Sequence, residues 1–257
     1  MSMFAAFLFG TIIGSFLNVC IYRIPQGQSL LHPGSHCPNC GVTVRWYQNV
    51  PLLSFVFLGG RCINCKVPIS VRYPIVEGLT GLLFALVFHH FGAHPATLIY
   101  WIFVAALVAI TFIDLDHQII PDVISIPGIL AGFSCSFFLP WMSWTDSVFG
   151  ILLGGGSLYL VAVGYELITK NEGMGGGDIK LLAMIGAFMG WKAVLPIVFL
   201  SSLLGCLVGI PVMLIQKADR KLAIPFGPFL ASAAIIFLLF GGRIIQEYLA
   251  FVGVVNQ

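Results

Sequence analysis

Gly173-Met174-Gly175-Gly176-Gly177-Asp178-Ile179-Lys180 leads without a break into the apolar run 181–189. Four glycines in five positions give way to a carboxylate just where an apolar segment begins. An unpaired charge at bilayer depth costs about 2.5–3.5 kcal/mol on insertion scales, so an acid in this setting is a functional candidate by default. The glycines let another backbone approach with no Cβ in the way. Taken alone, the stretch also reads as a flexible loop ending in Asp, the less favoured of the two readings. A second acid, Asp114, closes a different apolar run and favours the functional reading.

The rest of the chain supports a bilayer setting. Of 257 residues, 59% are hydrophobic and 9% charged, against about 25% charged in a soluble domain. The composition implies an all-α polytopic membrane protein. Net charge is +2, which gives no footing for a nucleic-acid partner. Met1-Ser2-Met3 lacks the basic start of a signal peptide, so the run from Phe4 to Val19 reads as a retained membrane helix. Gly10 and Gly14 share one face of it, either for a close helix contact or because membrane helices tolerate Gly. Gly154-Gly155-Gly156 suggests a second packing face.

About eight apolar segments follow one another, near 3–20, 74–92, 96–113, 122–139, 147–168, 179–191, 193–215 and 226–250. The sixth is short for a span of about 20 residues. The eighth opens at Pro225-Phe226-Gly227-Pro228, a break or re-entrant entry. If all eight alternate across the bilayer, ten of the twelve Lys and Arg fall on one side, with Lys192 and Arg243 opposite. The positive-inside rule then places the N-terminus outward, and the first loop, Asp114 and Asp178 at the cytoplasmic face.

The piece 21–73 is the one sizeable loop. Cys37-Pro38-Asn39-Cys40 and Cys62-Ile63-Asn64-Cys65 are separated by 21 residues. Two such knuckles supply four thiolates to a closed, structural Zn²⁺ site, and a loop this small needs a staple. Free thiols or a redox CxxC are the competing readings. His32 and His36 read as ordinary loop residues, and Cys20, Cys135 and Cys206 as small core residues. In Asp114-Leu115-Asp116-His117 the two acids stand about 200° apart on a helix, so one at most faces a given partner. Asp122, after Pro121, reads as the N-cap of the fourth segment.

These stretches together resemble the bifunctional prepilin peptidases, GxGD-type intramembrane aspartic enzymes of type IV pilus and type II secretion systems. The resemblance runs through Gly14-Ser15-Phe16-Leu17-Asn18-Val19, Tyr22-Arg23-Ile24-Pro25, both CxxC pairs, Asn49 to Ser54, Ile69 to Pro74 with Glu77, Ile113-Asp114 to Pro121, Gly175 to Leu181, and Pro225 to Phe229. It implies a first helix over 1–20, a cytoplasmic zinc-binding, methyltransferase-associated domain over 21–73, and a membrane aspartic peptidase over 74–257. It implies Asp114 and Asp178 as the catalytic pair. It also implies prepilin and pseudopilin substrates, cut after a Gly on the cytoplasmic side of the inner membrane. S-adenosylmethionine then methylates the new N-terminus. Asp116, Glu172 and Asp219 are candidate acidic contacts for the basic leader, and Glu77 a polar participant or a bundle contact. A peptidase without methyl transfer is disfavoured by the intact Cys loop. A transporter with a zinc-stabilised cap is disfavoured by the lack of an internal repeat.

Overall fold

A computed structural model describes residues 2–170, 175–216 and 225–251. Their regular structure is helical: α1 (Met3–Arg23), α2 (Leu53–Phe57), α3 (Arg72–Phe91), α4 (Pro95–His117), α5 (Asp122–Ser136), α6 (Trp144–Thr169), α7 (Gly176–Met189), α8 (Trp191–Gln216) and α9 (Gly227–Phe251). Each of the eight apolar segments of the sequence is a helix. Among the described residues six are long and apolar enough to cross a membrane, namely α1, α3, α4, α6, α8 and α9. At 15 and 14 residues, α5 and α7 are shorter. A helix rises about 1.5 Å per residue, so α7 measures roughly 21 Å against about 30 Å of hydrocarbon.

The chain forms two compact units, Met1–Ala109 and Ile110–Gln257, with α4 running from one into the other. In the first unit α1 lies directly on α3. A Cβ on Gly10 would stand 2.8 Å from Gly81 Cα, and one on Gly14 would stand 2.7 Å from Glu77 Cα. The two glycines therefore serve a close helix contact. Phe84 stacks on Trp101 with centroids 5.0 Å apart, and the Trp101 indole N–H donates to the Phe84 carbonyl at 2.9 Å. That bond satisfies the one polar atom of a buried aromatic pair. Asn18 is buried and donates to the Tyr73 carbonyl at 3.2 Å.

The second unit is built around α7. Leu181, Leu182, Met184 and Ile185 are all fully buried. α6 meets α7 backbone to backbone, because a Cβ on Gly150 would run into the Gly186 carbonyl and one on Gly186 into that of Gly150. The buried Ser147 hydroxyl adds a bond to the Ala187 carbonyl at 2.8 Å. α5 packs on the same helix through Gly132, opposite Ala187 and Phe188. Of the triple glycine, Gly154 and Gly155 face α7 while Gly156 has open space around it. Gly186→Val is thus expected to lower stability by about 1–3 kcal/mol or more, the cost of overpacking a filled site. Gly156→Ala should leave it unchanged or slightly raised. Thermal unfolding of the two solubilised variants checks this.

Two details differ from the sequence reading. Pro121 is the N-cap of α5, and Asp122 is its first helical residue, its carboxylate taken by Lys180. Cys20 is buried as expected, but Cys135 is only half-buried and Cys206 is exposed. On a helix apolar all round, a small thiol is as readily placed outward as inward.

Candidate active and metal sites

The acid pair lies in the second unit. Asp114 occupies the last turn of α4 and is 5% exposed, whereas Asp116 is exposed. The helical offset between them separates their fates. Asp178 sits in the first turn of α7, half-buried, its N–H reaching the Gly175 carbonyl at 3.3 Å. The two carboxyls are near enough for the charge on Asp114 to act on Asp178. Gly177, just ahead of Asp178, lies against Ile120, with 2.9 Å between its ideal Cβ position and Ile120 Cβ. A side chain at 177 would push away the segment that follows Asp114.

A third strand of chain completes the arrangement. The Gly227 N–H, at the start of α9, donates to Asp114 Oδ2 at 3.0 Å in a buried setting. The helix N-terminus favours a carboxylate there. A Cβ on Gly227 would lie 2.6 Å from that oxygen, and Pro228 offers no N–H of its own. Lys180 and Asp122, 2.6 Å apart and exposed, tie the openings of α7 and α5 together. The sequence marked the residues 225–228 as a break but gave no sign that Gly227 holds Asp114, 113 positions earlier. Glu172 and Asp219, the other candidate acidic contacts, lie outside the described residues.

The second centre lies in the loop between α1 and α3. The Sγ atoms of Cys37, Cys40, Cys62 and Cys65 lie within 4.8 Å of one another, so the cluster can hold a metal ion. No His, Asp or Glu joins them among the described residues. The two knuckles share one backbone course. Cys37 N–H bonds to the Val42 carbonyl and Cys62 N–H to that of Val67, each at 2.9 Å. Short bridges, His36 with Thr43 and Arg61 with Pro68, close each turn. The residue after the second Cys has positive φ in both, +70° at Gly41 and +59° at Lys66.

Each knuckle also supports the other. The Val67 N–H and then the Asn39 side chain pull the Cys65 thiol down to about 6. The Val42 N–H and then the Asn64 side chain lower Cys40 in the same way. Such donors orient thiolates and stabilise their charge. Asn39 and Asn64 were present in the quoted CxxC stretches, but their crossed roles appear only once the knuckles face each other.

Two buried polar residues anchor this loop. Arg23 donates to the carbonyls of Ser29 at 2.9 Å and Pro33 at 2.6 Å. Glu77 accepts the Leu52 N–H at 2.8 Å and a bond from Ser15. Glu77 is thus tied to the loop through Leu52 and to α1 through Ser15.

Residues 8–91 match the bacterial peptidase A24 N-terminal domain, and residues 101–210 match the type IV leader peptidase family. Among curated proteins, the prepilin leader peptidase/N-methyltransferase of Pseudomonas aeruginosa is 39% identical, over 96% of this chain and 93% of its own length. The Myxococcus xanthus protein of that name is 44% identical, over 82% of this chain and 64% of its own. The Neisseria gonorrhoeae protein is 38% identical, over 90% and 88%. No solved structure matches.

Proposed function

The chain belongs to the type IV prepilin leader peptidase/N-methyltransferase family, and from that premise we propose that its two activities use separate centres. It cleaves prepilin leaders and N-methylates the product, as a polytopic inner-membrane protein. Asp114 and Asp178 are the peptidase pair. The observation that carries this assignment is the proximity of two acids, one buried and both at helix ends, with a backbone N–H fixed on the first.

Drawn together around a scissile bond, two such carboxyls hold one proton between them. The ionised one takes a proton from water, and the water oxygen attacks the carbonyl of the glycine before the cut. The protonated one donates to that carbonyl oxygen as it becomes tetrahedral. When the intermediate collapses, the C–N bond breaks and a proton goes to the leaving amine. The acid and base roles belong to the dyad as a unit. The narrow surface at Gly175–Gly177 lets an extended glycyl backbone lie beside Asp178. The Lys and Arg distribution supports a cytoplasmic position for this site and an outward N-terminus. Pseudopilins, with the same leader chemistry, fall in the same substrate class.

The Cys cluster is a structural zinc site. A tetrahedral ion with Zn–S near 2.3 Å sets S···S at about 3.8 Å. Cys37 and Cys65 are 3.8 Å apart and Cys40 and Cys62 4.0 Å, so the residues fit. Four ligands leave no open position, and the ion would staple the loop rather than react. One zinc per chain is expected, lost together with loop order when any of the four becomes Ser, while the helices persist. Elemental analysis and thiol alkylation check it. S-adenosylmethionine is the donor the methylation implies. The loop's described residues form no strand–glycine turn–helix cradle for a nucleotide, so none is assigned to that donor.

The two-centre reading has a direct test. Asp178→Asn should stop cleavage yet still methylate a pilin supplied without its leader. Disrupting the Cys pairs should reduce methylation at least as much as cleavage. Loss of methylation of the pre-cleaved pilin by a folded Asp178→Asn enzyme would show one shared centre.

A further inference from the structure

The loop between α1 and α3 carries an apolar face to which neither activity is assigned above. Leu53, Val56 and Phe57 occupy positions i, i+3 and i+4 of α2 and so share one side. They are 56%, 73% and 84% exposed. The other side of α2 is spent inside the loop. Ser54 bonds back to the Val50 carbonyl, and the Phe55 ring covers Gly60.

The position of this face along the bilayer normal follows from Glu77. Its carboxylate accepts the N–H of Leu52, which immediately precedes α2 and has φ of +60°. The Leu52 side chain rests against Gly78. Glu77 is five residues into α3, about 8 Å along a helix that is itself just long enough to span the hydrocarbon. α2 therefore starts level with the first turns of a membrane helix. That level is the headgroup–acyl boundary, where interfacial helices bury an apolar face about 5–10 Å deep. The lipid-facing side of α3, with Ile75 and Leu79 exposed, continues at the same height.

Charge agrees with this position. No Asp or Glu precedes Glu77 in the chain, and Arg45 and Arg61 flank the apolar face on either side in sequence. Nothing there repels an anionic headgroup, and basic side chains next to a bilayer are drawn to it. We propose that the Leu53–Val56–Phe57 face of α2 is seated in the boundary of an anionic lipid bilayer, fixing the Cys-stapled loop against the membrane surface. The seat depends on the membrane helices and the Glu77 contact, and is independent of which residues perform either reaction.

The test uses the full-length protein in nanodiscs containing phosphatidylglycerol, with trifluoromethyl-phenylalanine in place of Phe57. Zinc content and leader cleavage confirm that the labelled protein is intact. Doxyl-labelled lipid should erase the fluorine resonance, while a water-soluble gadolinium chelate should change it little. Broadening dominated by the chelate would place Phe57 in water and overturn the proposal. A signal shielded from both agents would overturn it too, and would mean that a protein surface, a partner or a second copy covers this face.

Discussion

Asp114→Asn is expected to lower leader cleavage by on the order of 10²–10⁴-fold, and by more if the pair acts as a unit. Asp116→Asn, at matched expression, should cleave at close to the parent rate. The contrast rests on burial. Asp114 is nearly inaccessible, held by Gly227 and within electrostatic reach of Asp178. Asp116, two residues on and a little over half a turn round, is exposed. Asp178→Asn should match Asp114→Asn, and the double variant should fall little below either, since each single loss already disables the shared proton. Rates measured on a synthetic leader peptide decide it. An active Asp114→Asn enzyme with an inactive Asp116→Asn enzyme would reverse the assignment.

Gly227→Val carries the second large effect. The added Cβ would fall 2.6 Å from Asp114 Oδ2, so either the carboxylate or the start of α9 must move. A misplacement of about 1 Å at reacting groups can cost on the order of 10²-fold in rate. The fall should appear in kcat, because the substrate chain is still recognised elsewhere. Methylation of a pre-cleaved pilin should be unaffected, which separates a local shift from unfolding. A kcat within a few-fold of the parent would mean that the Gly227 bond does not position Asp114 for catalysis.

Much of this is legible in the amino-acid sequence. Apolar runs give helices in a bilayer protein because every backbone polar group there must be satisfied within its own segment. The eight runs are therefore eight helices, with ends close to those expected. Length was less legible. The run over 122–139 closes at Ser136, which leaves α5 short of a full span, whereas the sixth run already read as short and α7 is so. The acids and cysteines stood out because charge and thiol pairs are rare against such a background. Their partners did not. Gly227, Lys180, Asn39 and Asn64 matter through contacts that join distant stretches or crossed knuckles, and no local pattern encodes those. Asp122 shows the same limit. A residue following Pro121 reads as a cap, but Lys180 from α7 takes its carboxylate and leaves the capping position to the proline.

A hydrolase embedded in lipid has to be supplied with water, and the length of α7 answers how. Trp141, Trp144 and Trp191 are exposed around the far end of this helix, with the Trp191 indole on Asp146 at 3.0 Å. Exposed tryptophans of this kind mark a membrane–water interface. Asp178 is thirteen residues from Trp191, roughly 20 Å along the axis, in a layer about 30 Å thick. The carboxylate thus stops about 10 Å short of the opposite surface. Water must therefore reach it from that side, past the exposed Gly175 and Gly176 where α7 begins.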